Sequence, residues 1–219
     1  SKVTEPEKQK AIYWASAEPG IERWTGIANA YMFKNKVDLR SMVDVRGFLT
    51  MTIYDAVILA FEGKYTYEIE PPYSKSDKID PFVAHHGYPS FPSVLTTIAF
   101  GAAEILTHFF PKEKMKWETM AEEVGQSRIQ SGMNYPIGIS SAKVAGQTAA
   151  RRRAGHRMCA GTHPRGRGTG FAGGGIPRSA ARGRCSVLVV VAQRQRDPGR
   201  DHPGPRGHAR QGLQRGDDL

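Results

Sequence analysis

The sequence has few of the residues that stabilise small secreted proteins or span membranes. It contains only two cysteines among 219 residues, Cys159 and Cys185, both in the last third of the chain, which argues against a disulfide framework. The uncharged run over residues 82–103 includes two histidines and two prolines and lacks the sustained apolar composition of a membrane span. The first ten residues hold no apolar signal core. We therefore expect a soluble chain without a signal peptide, and the sequence favours no particular compartment.

Lysine, glutamate and aromatic residues are scarce or missing in the last third of the chain. Residues 151–219 hold 15 arginines, four aspartates, no lysine, no glutamate and one aromatic residue, Phe171, and carry a net charge of +11. The formal +10 of the whole chain belongs to this segment, because residues 1–150 carry −1. So little apolar surface cannot offset the entropy of ordering the segment. We expect a folded domain over residues 1–150 and a disordered arm over residues 151–219.

The change of composition near Ala150 has two interpretations. An arginine- and glycine-rich arm is typical of proteins that contact the phosphates of nucleic acids, although this one lacks the aromatics that stack on bases. The same change is also what an out-of-frame tail translated from a GC-rich gene would give. Two weaker signals lie in the segment: Cys159 and His163 as a zinc pair without a second pair, and the glycine-rich residues 166–175 without a preceding strand.

The first 150 residues are patterned as helices. Apolar residues recur three and four apart, and no strand alternation is present, so the fold class expected is all-α. Residues 65–92 contain five prolines and predict a long loop. Residues 127–134 fit a turn or the start of a helix. The predicted helices cover residues 20–33, 38–63 with Asp38 as N-cap, 94–110 with Ser93 as N-cap, 115–124 ending at Gly125, and 139 to about 151.

Three segments resemble, in order, the motifs of the superfamily that joins vanadium-dependent haloperoxidases to type-2 phosphatidic acid phosphatases. They are DAVILAFEGKYTYEIEPPY (55–73), YPSFPSVLTTIAFGAAEILTHFFP (88–111) and SRIQSGMN (127–134). The family motifs are a lysine followed after six residues by Arg-Pro, then Pro-Ser-Gly-His before an apolar helix, then Ser-Arg-x-x-x-Gly-x-His. The resemblance spans about residues 14–150.

The resemblance implies a helical bundle whose loops converge on phosphate or vanadate, for phosphate-ester hydrolysis or halide oxidation. It also implies that the domain is N-terminally incomplete. It further suggests a homodimer, because family members often form one. The residues that would bind the oxyanion are Lys64, Ser93, Arg128 and Gly132. Cationic donors of this kind neutralise the charge that develops on the oxygens.

The chain differs from the family motifs at the positions of the family's catalytic residues. Pro71 replaces the first arginine, Leu95 replaces the histidine that transfers protons, and Asn134 replaces the histidine that bonds to phosphorus or vanadium. Gly138 stands where the family often has an aspartate. Because an amide nitrogen is not a usable nucleophile, we predict a pseudoenzyme with no catalytic residues of the family type, no metal site and no certain cofactor beyond the oxyanion.

Other roles remain open for these residues. Lys64 suits a snorkelling lysine at a helix end, Ser93 suits a plain N-cap, and Arg128 suits an ion pair with Glu122 or Glu123. Three other histidines lie in or just before the second of the three segments and match no family role. His85 and His86 are interpreted as solvated loop residues, and His108 as a packed or surface residue of a helix. The function expected is oxyanion binding, and the alternative is nucleic-acid binding through the basic arm.

Overall fold

A computed structural model describes residues 3–16, 20–84 and 87–160. All regular structure in these ranges is helical, which confirms the all-α class. A short 3₁₀ turn, Pro111–Glu113, precedes α6. The helices are α1 Glu5–Ala15, α2 Ile21–Lys34, α3 Leu39–Tyr67, α4 Pro72–Lys75, α5 Val94–Phe109, α6 Lys114–Gln130 and α7 Pro136–Ala160.

Helix α5 forms the centre of the bundle and packs against α3, α6 and α7. Apolar residues around most of its circumference are buried, as expected of a helix enclosed by others. The predicted N-cap is confirmed, because the Ser93 side chain accepts a hydrogen bond from the Thr96 backbone N–H. Its contact with α7 requires a glycine: a Cβ added at Gly146 would lie 2.2 Å from the carbonyl oxygen of Thr97.

Helix α3 is longer than predicted. Asp38 caps it by accepting from the Ser41 N–H at 3.0 Å, as expected. The helix continues past the predicted end at Gly63 and stops at Glu68, whose φ of 48° is left-handed. Gly63 is buried inside the helix, so it does not end it. The extra turn places Lys64 on a helix and not at the start of a loop.

Helix α6 also runs past its predicted end. Gly125 is a packing position inside the helix, because a Cβ there would lie 2.8 Å from Cγ2 of Ile139 on α7. The chain leaves the helix at Gly132, which has a left-handed φ of 69°. Arg128 therefore lies in the last turn of α6, and Asn134 lies in the loop before α7.

Helix α1 has no counterpart among the predicted helices. Its sequence signal is a capping box, in which Thr4 and Glu7 satisfy each other's backbone N–H groups at the helix start. The helix is fixed to α6 through Glu123, which accepts from Lys10 Nζ at 2.6 Å and from Trp14 Nε1 at 2.9 Å. This contact closes one side of the bundle.

Helix α7 crosses the composition boundary at Ala150. Arg153 donates to both carboxylate oxygens of Asp55 on α3, at 2.5 and 2.9 Å, and Arg151 Nε lies 2.9 Å from Glu104 on α5. Two arginines that composition assigned to the arm are therefore paired with the domain. Residues 161–219, with His163, the glycine-rich stretch and Cys185, lie outside the described residues.

Helices long and apolar enough to cross a membrane are absent from the described part of the chain.

Candidate oxyanion site

The three predicted motifs converge on one cavity of about 400 Å³, here called the Lys64–Arg128 cavity. Lys64 comes from the last turn of α3, Ser93 from the N-cap of α5 and Arg128 from the last turn of α6. Three of the positions that differ from the family motifs line the same cavity, namely Pro71, Leu95 and Asn134, whereas Gly138 does not. Residues that lie far apart in the sequence are thus brought together around one space.

Lys64 is buried, with 1% of its surface exposed. Its Nζ donates to the carbonyl oxygen of Pro89 at 2.5 Å and lies 4.7 Å from the centroid of the Tyr88 ring. A snorkelling lysine would extend its ammonium group to solvent, and this one points inward. Burial lowers the pKa of Lys64 to about 7, and the positive charge of Arg128 adds to the effect.

Arg128 is also buried, with 9% of its surface exposed. Its Nε lies 3.4 Å from Oδ1 of Asn134. The two glutamates considered as its partners are engaged elsewhere, since Glu122 pairs with Lys143 and Glu123 pairs with Lys10. Burial lowers the pKa of Arg128 to about 10, and Tyr88 partly opposes this shift. The guanidinium group is charged at neutral pH.

The cavity holds two buried cations and no acid among its described lining residues. Neither Lys64 nor Arg128 forms an ion pair with a described carboxylate. Burying two like charges without a counter-charge is costly, and an anion between them relieves that cost. The electrostatics of the cavity therefore favour an anionic ligand.

The Ser93 hydroxyl lies at the cavity wall and is 2% exposed as a residue. Its oxygen accepts from Thr96 Oγ1 at 2.9 Å, in addition to the Thr96 N–H at 3.4 Å. These two bonds leave the Ser93 hydroxyl proton free for an acceptor in the cavity. Capping and anion binding are therefore compatible roles for this residue.

Asn134 links two segments of the cavity wall through hydrogen bonds of its side chain. Its side-chain amide donates to the carbonyl oxygen of Ser90 and accepts from Arg128, so both ends of the amide are engaged. An amide in this position supplies no imidazole to bond to vanadium, and no histidine is among the described residues of the lining. The residues present therefore do not fit covalently bound vanadate, but they suit an oxyanion held by charge and hydrogen bonds.

Gly132 is not among the lining residues, unlike the other three predicted oxyanion ligands. It occupies the turn after α6, where a Cβ would lie 2.3 Å from Cγ2 of Ile79. The N–H of Gly132 donates to the carbonyl oxygen of Ile129, and those of Met133 and Asn134 donate to that of Arg128. The backbone amides of this turn are therefore used within the turn.

The remaining histidines contribute little to the described site. His108 is exposed near the end of α5 and packs against the ring of Phe109. His85 and His86 lie outside the described residues.

Tyr88 is a cavity residue that the sequence did not single out. Its ring contacts both Lys64 and the ring of Phe61, whose centroid is 5.5 Å away. Burial raises the pKa of Tyr88, against an opposing effect of Arg128. A single tyrosine in a proline-rich loop has no periodicity that would mark it in the sequence.

Comparison with known proteins gives a structural match. No protein-family model matches the chain, and no curated protein matches it. The crystal structure of a bacterial vanadium-dependent iodoperoxidase is similar, with a TM-score of 0.63 and 18% sequence identity, over 69% of this chain and 43% of that one. The chain thus spans less than half of the length of the iodoperoxidase. The described helices have the haloperoxidase fold.

Proposed function

We propose that the protein binds an oxyanion, phosphate or vanadate, in the Lys64–Arg128 cavity without chemical turnover. The observation that carries this proposal is the burial of two cations around one space whose described lining contains no carboxylate. Ser93 adds a hydroxyl donor to the two charged groups. Preorganised donors of this kind bind oxyanions strongly because the site does not have to reorganise.

The absence of turnover follows from the residues at two positions. Asn134 has no nucleophilic nitrogen, and Leu95 has no proton to give to a leaving group. Both line the cavity, so the loss lies at the place where a bound oxyanion would react. The cavity therefore has side chains that can bind an anion, and its described lining lacks the histidines that act as nucleophile and proton donor in the family.

Sulfate affinity should fall as the pH rises above about 7. The pKa of Lys64 is lowered to about 7 in the anion-free protein, so the amine must take up a proton to bind an anion at higher pH. The affinity should drop by up to about tenfold per pH unit between pH 7 and 9. Titration calorimetry of the full chain measures this, and sulfate suits it because its charge is constant over this range.

Variants at residue 64 test whether the pH dependence of sulfate binding comes from Lys64 or from the loss of any positive charge. Lys64→Met should bind sulfate weakly, with little dependence on pH, and Lys64→Arg should keep its affinity to pH 9. Lys34→Met removes an exposed lysine and should match the wild type. A wild-type affinity that is independent of pH would contradict the role given to Lys64, and absence of sulfate and phosphate binding at every pH would contradict the proposal.

A second candidate function, nucleic-acid binding, rests on the charge of the segment after α7. Residues 161–219 contain 11 arginines and four aspartates. Removing residues 161–219, and not the whole of 151–219, keeps the contacts of Arg151 and Arg153 with the domain. If the segment binds RNA or DNA, this deletion should abolish an affinity that falls steeply with salt in the full chain. Gel-shift titrations at several salt concentrations measure it, and a full chain without such affinity excludes the candidate.

A further inference from the structure

We infer that the ligand of the Lys64–Arg128 cavity is an organic oxyanion, with an aryl or alkyl group that packs against an apolar wall formed by Val57, Phe61 and Leu95. This inference rests on the proposed oxyanion binding and names the class of ligand. The candidates are phosphate, phosphonate or sulfonate groups that carry a hydrocarbon substituent about the size of a benzene ring.

The size of the cavity exceeds the needs of an inorganic oxyanion. A tetrahedral oxyanion has five heavy atoms, roughly the space of two or three water molecules at about 30 Å³ each. The cavity has a volume of about 400 Å³, which lies in the range of sites for small organic molecules. Most of the cavity volume therefore stays unfilled when only the anionic group of a ligand is bound.

One wall of the cavity is apolar. Val57 and Phe61 on α3 and Leu95 on α5 pack against the main core on one side and remain partly exposed. All three line the cavity, so part of their remaining surface faces the space next to the cations. A hydrocarbon group placed there removes apolar surface from water on both partners.

Tyr88 joins the charged and apolar parts of the cavity. Its ring lies 4.7 Å from Lys64 Nζ and packs edge-to-face with Phe61 at 5.5 Å between centroids. A ligand with its anionic group on Lys64 and Arg128 therefore has an aromatic surface beside it. Leu95 also lines the cavity, at the position where the resemblance places a proton-transferring histidine, so a leucine there makes the cavity more apolar as well as less reactive.

Two phosphonates with the same anionic group test the inference on the unmodified protein. Phenylphosphonate should bind about 10- to 100-fold more tightly than methylphosphonate, the effect expected from burying an aromatic ring. Titration calorimetry of the full chain at pH 6 measures both. Equal affinities would overturn the inference and leave oxyanion binding standing, whereas binding of neither phosphonate and no binding of phosphate would overturn the proposed function as well.

Substitution of a residue in the apolar wall shows where the phenyl group of the ligand binds. Leu95→Asn should weaken phenylphosphonate binding by about tenfold and change methylphosphonate binding by less than about twofold. Met115→Asn is the matched control, because Met115 is 81% exposed on α6 and does not line the cavity. Circular dichroism establishes that both variants are folded. A preference for phenylphosphonate that is the same in Leu95→Asn and Met115→Asn would place the ring elsewhere and contradict the inference.

Discussion

Replacing Arg128 with methionine should weaken phosphate binding by about 100-fold. The guanidinium group is buried, charged at neutral pH and without a carboxylate partner among the described residues, so a bound oxyanion would be its counter-charge. A hydrogen bond between charged groups contributes about 1.5–3 kcal/mol, and a planar guanidinium can form two to one oxyanion. Calorimetric titration with phosphate at pH 6 measures the loss while Lys64 is still protonated.

The control for this variant is another arginine. Arg40 is exposed on α3 and forms no ion pair with a described residue, so Arg40→Met should leave the affinity unchanged. Arg128→Lys keeps the charge and loses the planar pair of donors, so it should fall between the wild type and Arg128→Met. Equal phosphate affinity in Arg128→Met and Arg40→Met, with both proteins folded, would remove Arg128 from the site.

Capping residues and apolar periodicity were sufficient to predict most of the bundle. Asp38 and Ser93 start α3 and α5 as predicted, because a side chain that satisfies free backbone N–H groups is a local property. The ends of α3 and α6 were wrong, since Gly63 and Gly125 were interpreted as stops. Gly125 is instead required by the close approach of Ile139, a contact that exists only in the folded chain.

The candidate site could be predicted only in part for a similar reason. Lys64, Ser93 and Arg128 stand in spaced motifs, and the structure brings them to one cavity. Tyr88 and the Pro89 carbonyl oxygen contact Lys64 from a loop whose path depends on the surrounding helices. A backbone carbonyl belongs to every residue, so no sequence pattern identifies the one that will accept from a buried lysine.

The change of composition at residue 150 does not coincide with the end of a helix, because it falls inside α7. Arg151 and Arg153 share the composition of the arm and yet pair with Glu104 and Asp55. Helix α7 continues past residue 150, where these two ion pairs join it to α5 and α3, and composition does not register such contacts.

Introducing histidines at positions 134 and 95 should produce a phosphatase. Asn134→His supplies a nucleophile, and its ring N–H can continue to donate to the Ser90 carbonyl oxygen, which leaves the other ring nitrogen unprotonated. Leu95→His supplies the proton for the leaving group. Addition of this second change to Asn134→His should raise turnover by about 10²- to 10⁴-fold, the usual contribution of a general acid. Release of p-nitrophenol from its phosphate ester measures it.

The matched control replaces Asn134 with glutamine in the Leu95→His background, because glutamine retains an amide and adds no nucleophile. The wild type and this control should show no turnover above the buffer rate, whereas the double histidine variant should. A folded double variant that binds phosphate and does not hydrolyse the ester would mean that the cavity differs from a phosphatase in more than its two histidines. Pro71 would then be the next position to change, since the resemblance places an arginine there, which would add a third cationic donor to the wall of the cavity. Turnover by the wild type that is lost in Asn134→Ala would instead contradict the assignment of the chain as a pseudoenzyme.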